Sequence, residues 1–336
     1  MKMGQIFSPL TLPPLEQVLG LLAWLCLSCG ALQAMEAPPP ASFAYVLQAD
    51  SFAKSKPAAV ARLAACARDW IVLDAAFGGG TPWERADLDA IRRGQPQRKV
   101  IAYLSIGEAE DYRPYWRKEW GTRKNLAAAA PAWLGPENPE WKGNYRVKYW
   151  SAEWQKLILA AVDDVMGRGF DGVYLDIVDG FETFEQDGKE FIDDRVNPET
   201  KQSYRRDMVD WVKAIGARAR AKNPAALVIP QNGSQLVAHA DFLAAISGIG
   251  IEDLFTNGHK LQPKSHTDEV LAHLKKIAEA KMPALLIEYP KTAERQALTK
   301  KLAAENGLVL LVTDRQLKTL GESGNEAQPA ATKLKQ

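Results

Sequence analysis

Eight short, nearly unbroken apolar runs recur between residues 43 and 312, most of them followed by a stretch with helical spacing. This recurrence constrains the chain more than any other feature. The runs are Phe43–Gln48, Trp70–Asp74, Lys99–Ser105, Gly172–Ile177, Ala226–Gln231, Ile246–Ile251, Pro283–Glu288 and Leu308–Val312. They do not alternate apolar with polar residues. A strand that buries one face alternates, whereas a strand covered on both faces has no need to. Strands separated by helices imply a parallel sheet. Eight such units favour closure into a single-domain α/β fold, a (β/α)8 TIM barrel, over an open doubly wound sheet.

The intervening stretches read as helices over Lys56–Ala67, Pro82–Arg93, Trp154–Met166, residues near 200–221, Thr267–Ala280 and Thr292–Glu305. Thr81 is the expected cap of the second, with Pro82 at its first position. Gly167 and Gly169 are expected to close the third. Residues 106–150 read as one long irregular stretch. The barrel is expected to span 43–320, followed by a loose polar tail over 321–336. Lys and Arg number 42 against 41 Asp and Glu, a formal net charge of +1. That balance gives no electrostatic case for nucleic acid or for an anionic membrane surface as partner. No phosphate-cradling glycine pattern follows the first strand.

Residues 1–37 read as a signal peptide and export region. Lys2 is the only charge before Glu16, an apolar run spans Val18 to Leu27, and small residues lead to Ala34. A basic start, a short apolar core and a small-residue exit make a secretory signal. The run is too short for a membrane span, so a secreted or periplasmic protein is expected. A cut before Cys29, after Leu27-Ser28, is the alternative, and would put a lipid anchor on Cys29. Residues 38–42, with Pro38-Pro39-Pro40, read as a stiff linker. Cleavage at Ala34 leaves only Cys66, which permits no disulfide framework. Cys66 itself reads as a small apolar residue on a helix.

In such a barrel, functional groups sit where strands end. Reading off those ends gives Asp50, Asp74, Glu108, Asp176, Asp179, Glu252, Asp253, Glu288 and Asp314. Any one of them could simply cap a helix or solvate a loop. Gathered at one mouth they repel, so some must be protonated or employed. Asp176 ends the run Gly172–Ile177, and Glu252 leaves the glycine-containing run Gly248-Ile-Gly-Ile. Splitting a glycosidic bond takes one carboxyl to protonate the leaving oxygen and a second to attack or to activate water. Ten aromatic residues between Tyr112 and Trp154 supply rings that could stack on sugars or pack the long loop. His239, His259, His266 and His273 form no His-x-x-x-His pair, and Asn232-Gly-Ser-Gln lacks the second glycine of a serine elbow. No metal and no cofactor is expected.

Taken together, Val100–Glu110, Gly169–Asp179, Gln231-Asn232-Gly233, Gly250–Phe255 and Leu286–Pro290 resemble glycoside hydrolase family 114, the endo-α-1,4-polygalactosaminidase family. The resemblance covers about residues 43 to 315. It implies a barrel that cleaves a galactosamine-type polymer, with Asp176 as nucleophile and Glu252 as general acid/base. It also implies that Tyr103, Glu108, Tyr174, Asn232 and Glu288 line the pocket, and Asp74 and Asp179 join them at the mouth. Glu288 is the reserve nucleophile. A monomer is expected, acting by retention, which requires carboxyls ~5–5.5 Å apart rather than ~6.5–9.5 Å. The alternatives are a non-catalytic exopolysaccharide-binding barrel and a glycosidase acting on another glycan.

Overall fold

The computed structural model describes residues 39–122 and 125–324. The expected signal region, Cys29 and the last twelve residues of the expected tail lie outside them. Eight parallel strands form the centre: β1 (Phe43–Val46), β2 (Trp70–Asp74), β3 (Lys99–Ser105), β4 (Gly172–Asp176), β5 (Leu227–Pro230), β6 (Ile249–Glu252), β7 (Ala284–Glu288) and β8 (Val309–Val312). The first five pair in sequence order, as do the last three. A parallel bridge between Gln231 and Gly250 joins the two arcs, reinforced by Asn232 N donating to the Gly250 carbonyl at 2.8 Å.

Side chains sort by the two-residue period of a strand. Phe43, Tyr45, Val72, Ile101, Tyr103, Tyr174, Ile229, Leu285, Ile287, Tyr289 and Leu311 form one buried cluster, drawn from seven of the eight strands. β6 contributes Gly250 to this interior instead of a side chain. A Cβ there would come within 1.9 Å of the Tyr174 hydroxyl, so the glycine leaves room for that ring. The alternate residues, among them Ala44, Ile71, Val100, Val173, Val228, Ile249 and Leu310, belong to a second and larger core. An inner packed core within an outer layer is the arrangement of a (β/α)8 barrel.

A helix follows each strand but the last: α1 (Lys56–Ala65), α2 (Arg85–Arg92), α3 (Ala152–Arg168), α4 (Tyr204–Lys222), α5 (Ala240–Ala245), α6 (Lys264–Glu279) and α7 (Ala293–Glu305). Local chemistry sets their ends. The hydroxyls of Ser55, Ser203 and Thr292 accept from the amides of Ala58, Arg206 and Arg295, as N-caps do. Gly169 ends α3 with φ at 101°, a left-handed cap. α2 departs from expectation. It begins at Arg85, with Glu84 N donating to Asp87 Oδ2 at 2.9 Å, because Thr81 and Pro82 form the return arm of a hairpin on Ala76–Gly78. α5 was not expected at all.

Three further differences bear on the site. The described residues of 106–150 are built around a three-stranded antiparallel sheet, Glu108–Glu110, Asn144–Val147 and Leu134–Glu137 in spatial order. Most rings of this excursion pack on one another: Trp116 on Trp120 and Tyr145, Trp120 on Trp133, and Trp133 on Trp154. Residues 321–324 belong to the fold, since Glu322–Ser323 pair antiparallel with Leu311–Val312 of β8. The expected linker ends in anchored backbone, because the amides of Ala41 and Ser42 both donate to Asp69 Oδ2.

Candidate active site

Following the interior phase of each strand to its carboxyl end brings Asp74, Tyr103, Asp176, Gln231, Glu252 and Tyr289 to one mouth. Asp176 ends β4. Its Oδ2 accepts from the Tyr103 hydroxyl at 2.7 Å, and its Oδ1 accepts from Ile177 N at 2.8 Å and Gln231 Nε2 at 3.1 Å. Burial pushes its carboxyl above the usual range, while the Tyr103 and Ile177 hydrogen bonds pull it back down.

Glu252 ends β6. Its Oε1 accepts from the Tyr289 hydroxyl, and its own amide donates to Asn232 Oδ1 at 3.1 Å. Burial, then the neighbouring charge of Asp176, pushes its carboxyl up to about 7, against the Tyr289 hydrogen bond. Asp179 stands in the turn after β4. Burial, with Glu182 and Asp176 nearby, pushes it up to about 8, and Asn232 hydrogen-bonds it. Two carboxyls thus meet with unequal environments. Asp176 has donors on both oxygens, which favours its ionised form, while Glu252 holds its proton near neutrality.

The other expected residues take different places. The Asp74 carboxylate is held by Arg113, through Oδ1 at 2.9 Å and Oδ2 at 2.7 Å. Arg113 also binds Glu110 at 2.6 Å and lies 5.9 Å from the Tyr103 ring centroid. Glu108 is buried on the excursion, raised by burial, and accepts from Asn138 Nδ2 at 2.8 Å. Asp50 lies in a short helix, Ala49–Phe52, and Asp314 accepts from the amides of its own turn. Exposed His259 sits on the hairpin after β6. Among the described residues no three His, Cys, Asp or Glu side chains converge as metal ligands would.

With this geometry in view, the chain can be compared with known proteins. A family model described as "Glycoside-hydrolase family GH114" matches residues 30–329. The chain belongs to this glycoside hydrolase family. A protein of Deinococcus radiodurans is 35% identical over 254 residues, 74% of each chain. One of Methanocaldococcus jannaschii is 39% identical over 223 residues, 65% of this chain and 60% of its own. Two solved structures share the fold. The glycoside hydrolase domain of PelA from Pseudomonas aeruginosa superposes with a TM-score of 0.60 at 21% identity, over 84% of this chain and 98% of that one. Ega3 of Aspergillus fumigatus in complex with galactosamine superposes at 0.62 with 16% identity, over 87% and 98%.

In this GH114 barrel one expected pocket residue faces elsewhere and another lies beneath the carboxyls. Glu288 precedes interior-facing Tyr289, so it points out of the barrel. It is fully buried, with its carboxylate accepting from Phe255 N at 2.6 Å and from the amide and hydroxyl of Thr256. It is therefore not at the mouth as a reserve nucleophile would be, but fastens the loop after β6. Tyr174 is fully buried beneath the carboxyls, with no hydrogen-bond partner for its hydroxyl. Its place is the floor of the site. Tyr289 and Gln231 lie within the motifs Leu286–Pro290 and Gln231-Asn232-Gly233, which by themselves give neither a role. The phase of Leu285 and Ile287 was the signal that turns Tyr289 inward and Glu288 outward.

Proposed function

We propose that this chain is an exported, endo-acting glycosidase that cleaves an amino-sugar polysaccharide of the α-1,4-galactosamine type with retention at the anomeric carbon. Membership in the glycoside hydrolase family supports the reaction class. One observation carries the residue roles: Asp176 and Glu252 end different strands of one interior face with unequal hydrogen bonding. Asp176, with donors on both oxygens, is suited to attack as a carboxylate. Glu252, held by burial near neutral pH as an acid, is suited to protonate the leaving oxygen and later to activate water. Acidic side chains gather at the mouth, and the Asp176 carboxylate among them suits a polymer bearing protonated amines. Ega3 is described in complex with galactosamine, which supports the same sugar.

Mature protein incubated with purified α-1,4-galactosamine oligomers should release shorter oligomers, and Glu252→Gln should not. An NMR spectrum of the first product should show the starting anomer. Binding without cleavage would favour the exopolysaccharide-binding barrel. Cleavage of only a neutral glycan would keep the reaction and change the sugar.

A further inference from the structure

Three loops meet behind Glu252. Asp253 opens the loop after β6, Tyr289 follows β7, and Arg315 lies in the turn after β8. Arg315 Nη2 reaches both carboxylate oxygens of Asp253, each at 2.7 Å. Its guanidinium carbon lies 4.2 Å from the Tyr289 ring centroid. The hydroxyl of that ring donates to Glu252. We propose that Arg315 and Asp253 form a clamp that seats the Tyr289 ring against Glu252, which makes all three positioning residues for the acid/base. The inference rests on the reading of Glu252 given above.

The argument is geometric first. A phenol ring can aim its hydroxyl only by rotating about two side-chain bonds, so packing a flat guanidinium on its face fixes that aim. Arginine suits the task because its planar head can stack on the ring and bind a carboxylate at once. The salt bridge ties the β8 turn to the β6 loop, so the guanidinium cannot drift from the ring. Asp253 also adopts φ of 51°, a strained conformation for a non-glycine residue, and its carboxylate is held by this contact.

Charge gives the clamp a second property. Glu252 is faced by Asp176, Asp179 and Tyr174 from β4 and its turn, by Tyr45 from β1, by Tyr289 from β7, by Arg315 from the β8 turn, and by Asp253 beside it. Of these, Asp253 discourages ionisation of Glu252 and Arg315 encourages it. Joined as a pair, they oppose one another at Glu252, with Asp253 the stronger. The clamp can therefore hold the ring without stripping the acid of its proton.

The test is the titration of Glu252 in the full barrel, followed by 13C NMR of carboxyl-labelled glutamate, with Glu252→Gln to assign the signal. Arg315→Gln removes a positive charge and frees the ring, so it should raise the Glu252 midpoint by on the order of half a pH unit or more, whereas Asp253→Asn removes a negative charge but also frees the ring, so its two effects oppose and its shift should be smaller. In the Tyr289→Phe background, which has no hydroxyl to aim, Arg315→Gln should raise the midpoint by less than in the wild type, and Asp253→Asn should lower it outright. On galactosamine oligomers both single variants should lose about tenfold in kcat with smaller changes in KM. Tyr289→Phe should raise the midpoint too, since it removes a donor to the charged form. Shifts from Arg315→Gln and Asp253→Asn that are the same with and without the Tyr289 hydroxyl would overturn the clamp. If Arg315→Gln does not fold, the Asp253→Asn shift with and without the Tyr289 hydroxyl still decides it. Should the wild type cleave no amino sugar, the function fails while the titration still judges the clamp.

Discussion

Ile177, Asn232 and Asp253 each follow an interior-facing strand-end residue, and each has φ between 51° and 60°. A β-branched residue rarely adopts that conformation, and holding it costs about 1–3 kcal/mol. At Ile177 the strained turn places its amide on Asp176 Oδ1; at Asn232 it places the side chain between Glu252 and Asp179. Nothing in the residue types announced this strain, since Ile177 read as the end of a strand and Asn232 and Asp253 as ordinary loop positions. The carboxylates themselves were legible, because an acid at the end of an apolar run has few structural reasons to be there. Asp176→Asn and Glu252→Gln should each cut kcat by ~10²-fold or more with little change in melting temperature. Retained activity in Asp176→Asn would remove it as nucleophile. The pH dependence follows from Glu252. An acid must enter the reaction protonated, so its share of the rate is full well below about 7 and is lost as pH rises through that value. An alkaline limb absent from kcat/KM between pH 6 and 8 would contradict the assignment.

Across elements, β4 and β6 approach inside the barrel at Tyr174 and Gly250, beneath Asp176 and Glu252. The glycine is needed for space, not for a left-handed backbone. Gly250→Ala would drive its methyl into the Tyr174 hydroxyl, and overpacking of this kind costs about 1–3 kcal/mol. It should lower the melting temperature and displace Glu252, two residues on. Tyr174→Phe removes a buried hydroxyl with no partner, so alone it should be neutral or stabilising. Combined with Gly250→Ala it should recover part of the loss, and additive effects in that double-mutant cycle would sink the idea. The strands were legible because both-face burial makes them continuous apolar runs. α2 was misplaced because Pro82 suits both a helix start and an edge strand, and only the partner residues 76–78 decide between them. The sheet within 106–150 was hidden by its short, interrupted strands, which depend on pairing rather than on pattern.

At the scale of the molecule, pH and the closing seam both enter stability. The carboxyls of Asp179, Glu252 and Glu288 are raised to about 8, 7 and 7. A folded state that binds protons more tightly than the unfolded chain gains stability that is full below the unfolded values. That gain is lost as pH rises through the folded ones. The melting temperature should therefore fall between pH 5 and 8, with a shallower slope in Asp179→Asn/Glu252→Gln, and a rise over that range would refute the linkage. The seam concerns β1 and β8, which lie in contact, yet the edge of β8 at Leu311–Val312 pairs with Glu322–Ser323. The Leu317 carbonyl, in the turn between, accepts from the amides of Leu47 and Gln48 just after β1. A returning chain segment covers the β8 edge here, which no strand pattern in the sequence could disclose, since 321–324 is polar and short. Buried Arg68 donates to the Gly321 carbonyl at 2.9 Å, and Gln296 and Lys300 of α7 bind Glu322. Ending the chain at Leu320 would take acceptors from all three and bare the β8 edge, an open invitation to strand pairing between molecules. The truncated barrel should still fold, because its inner core is intact, but it should melt several degrees lower and associate at high concentration. An unchanged melting temperature and a monomeric elution profile would show that the segment merely rests on the barrel.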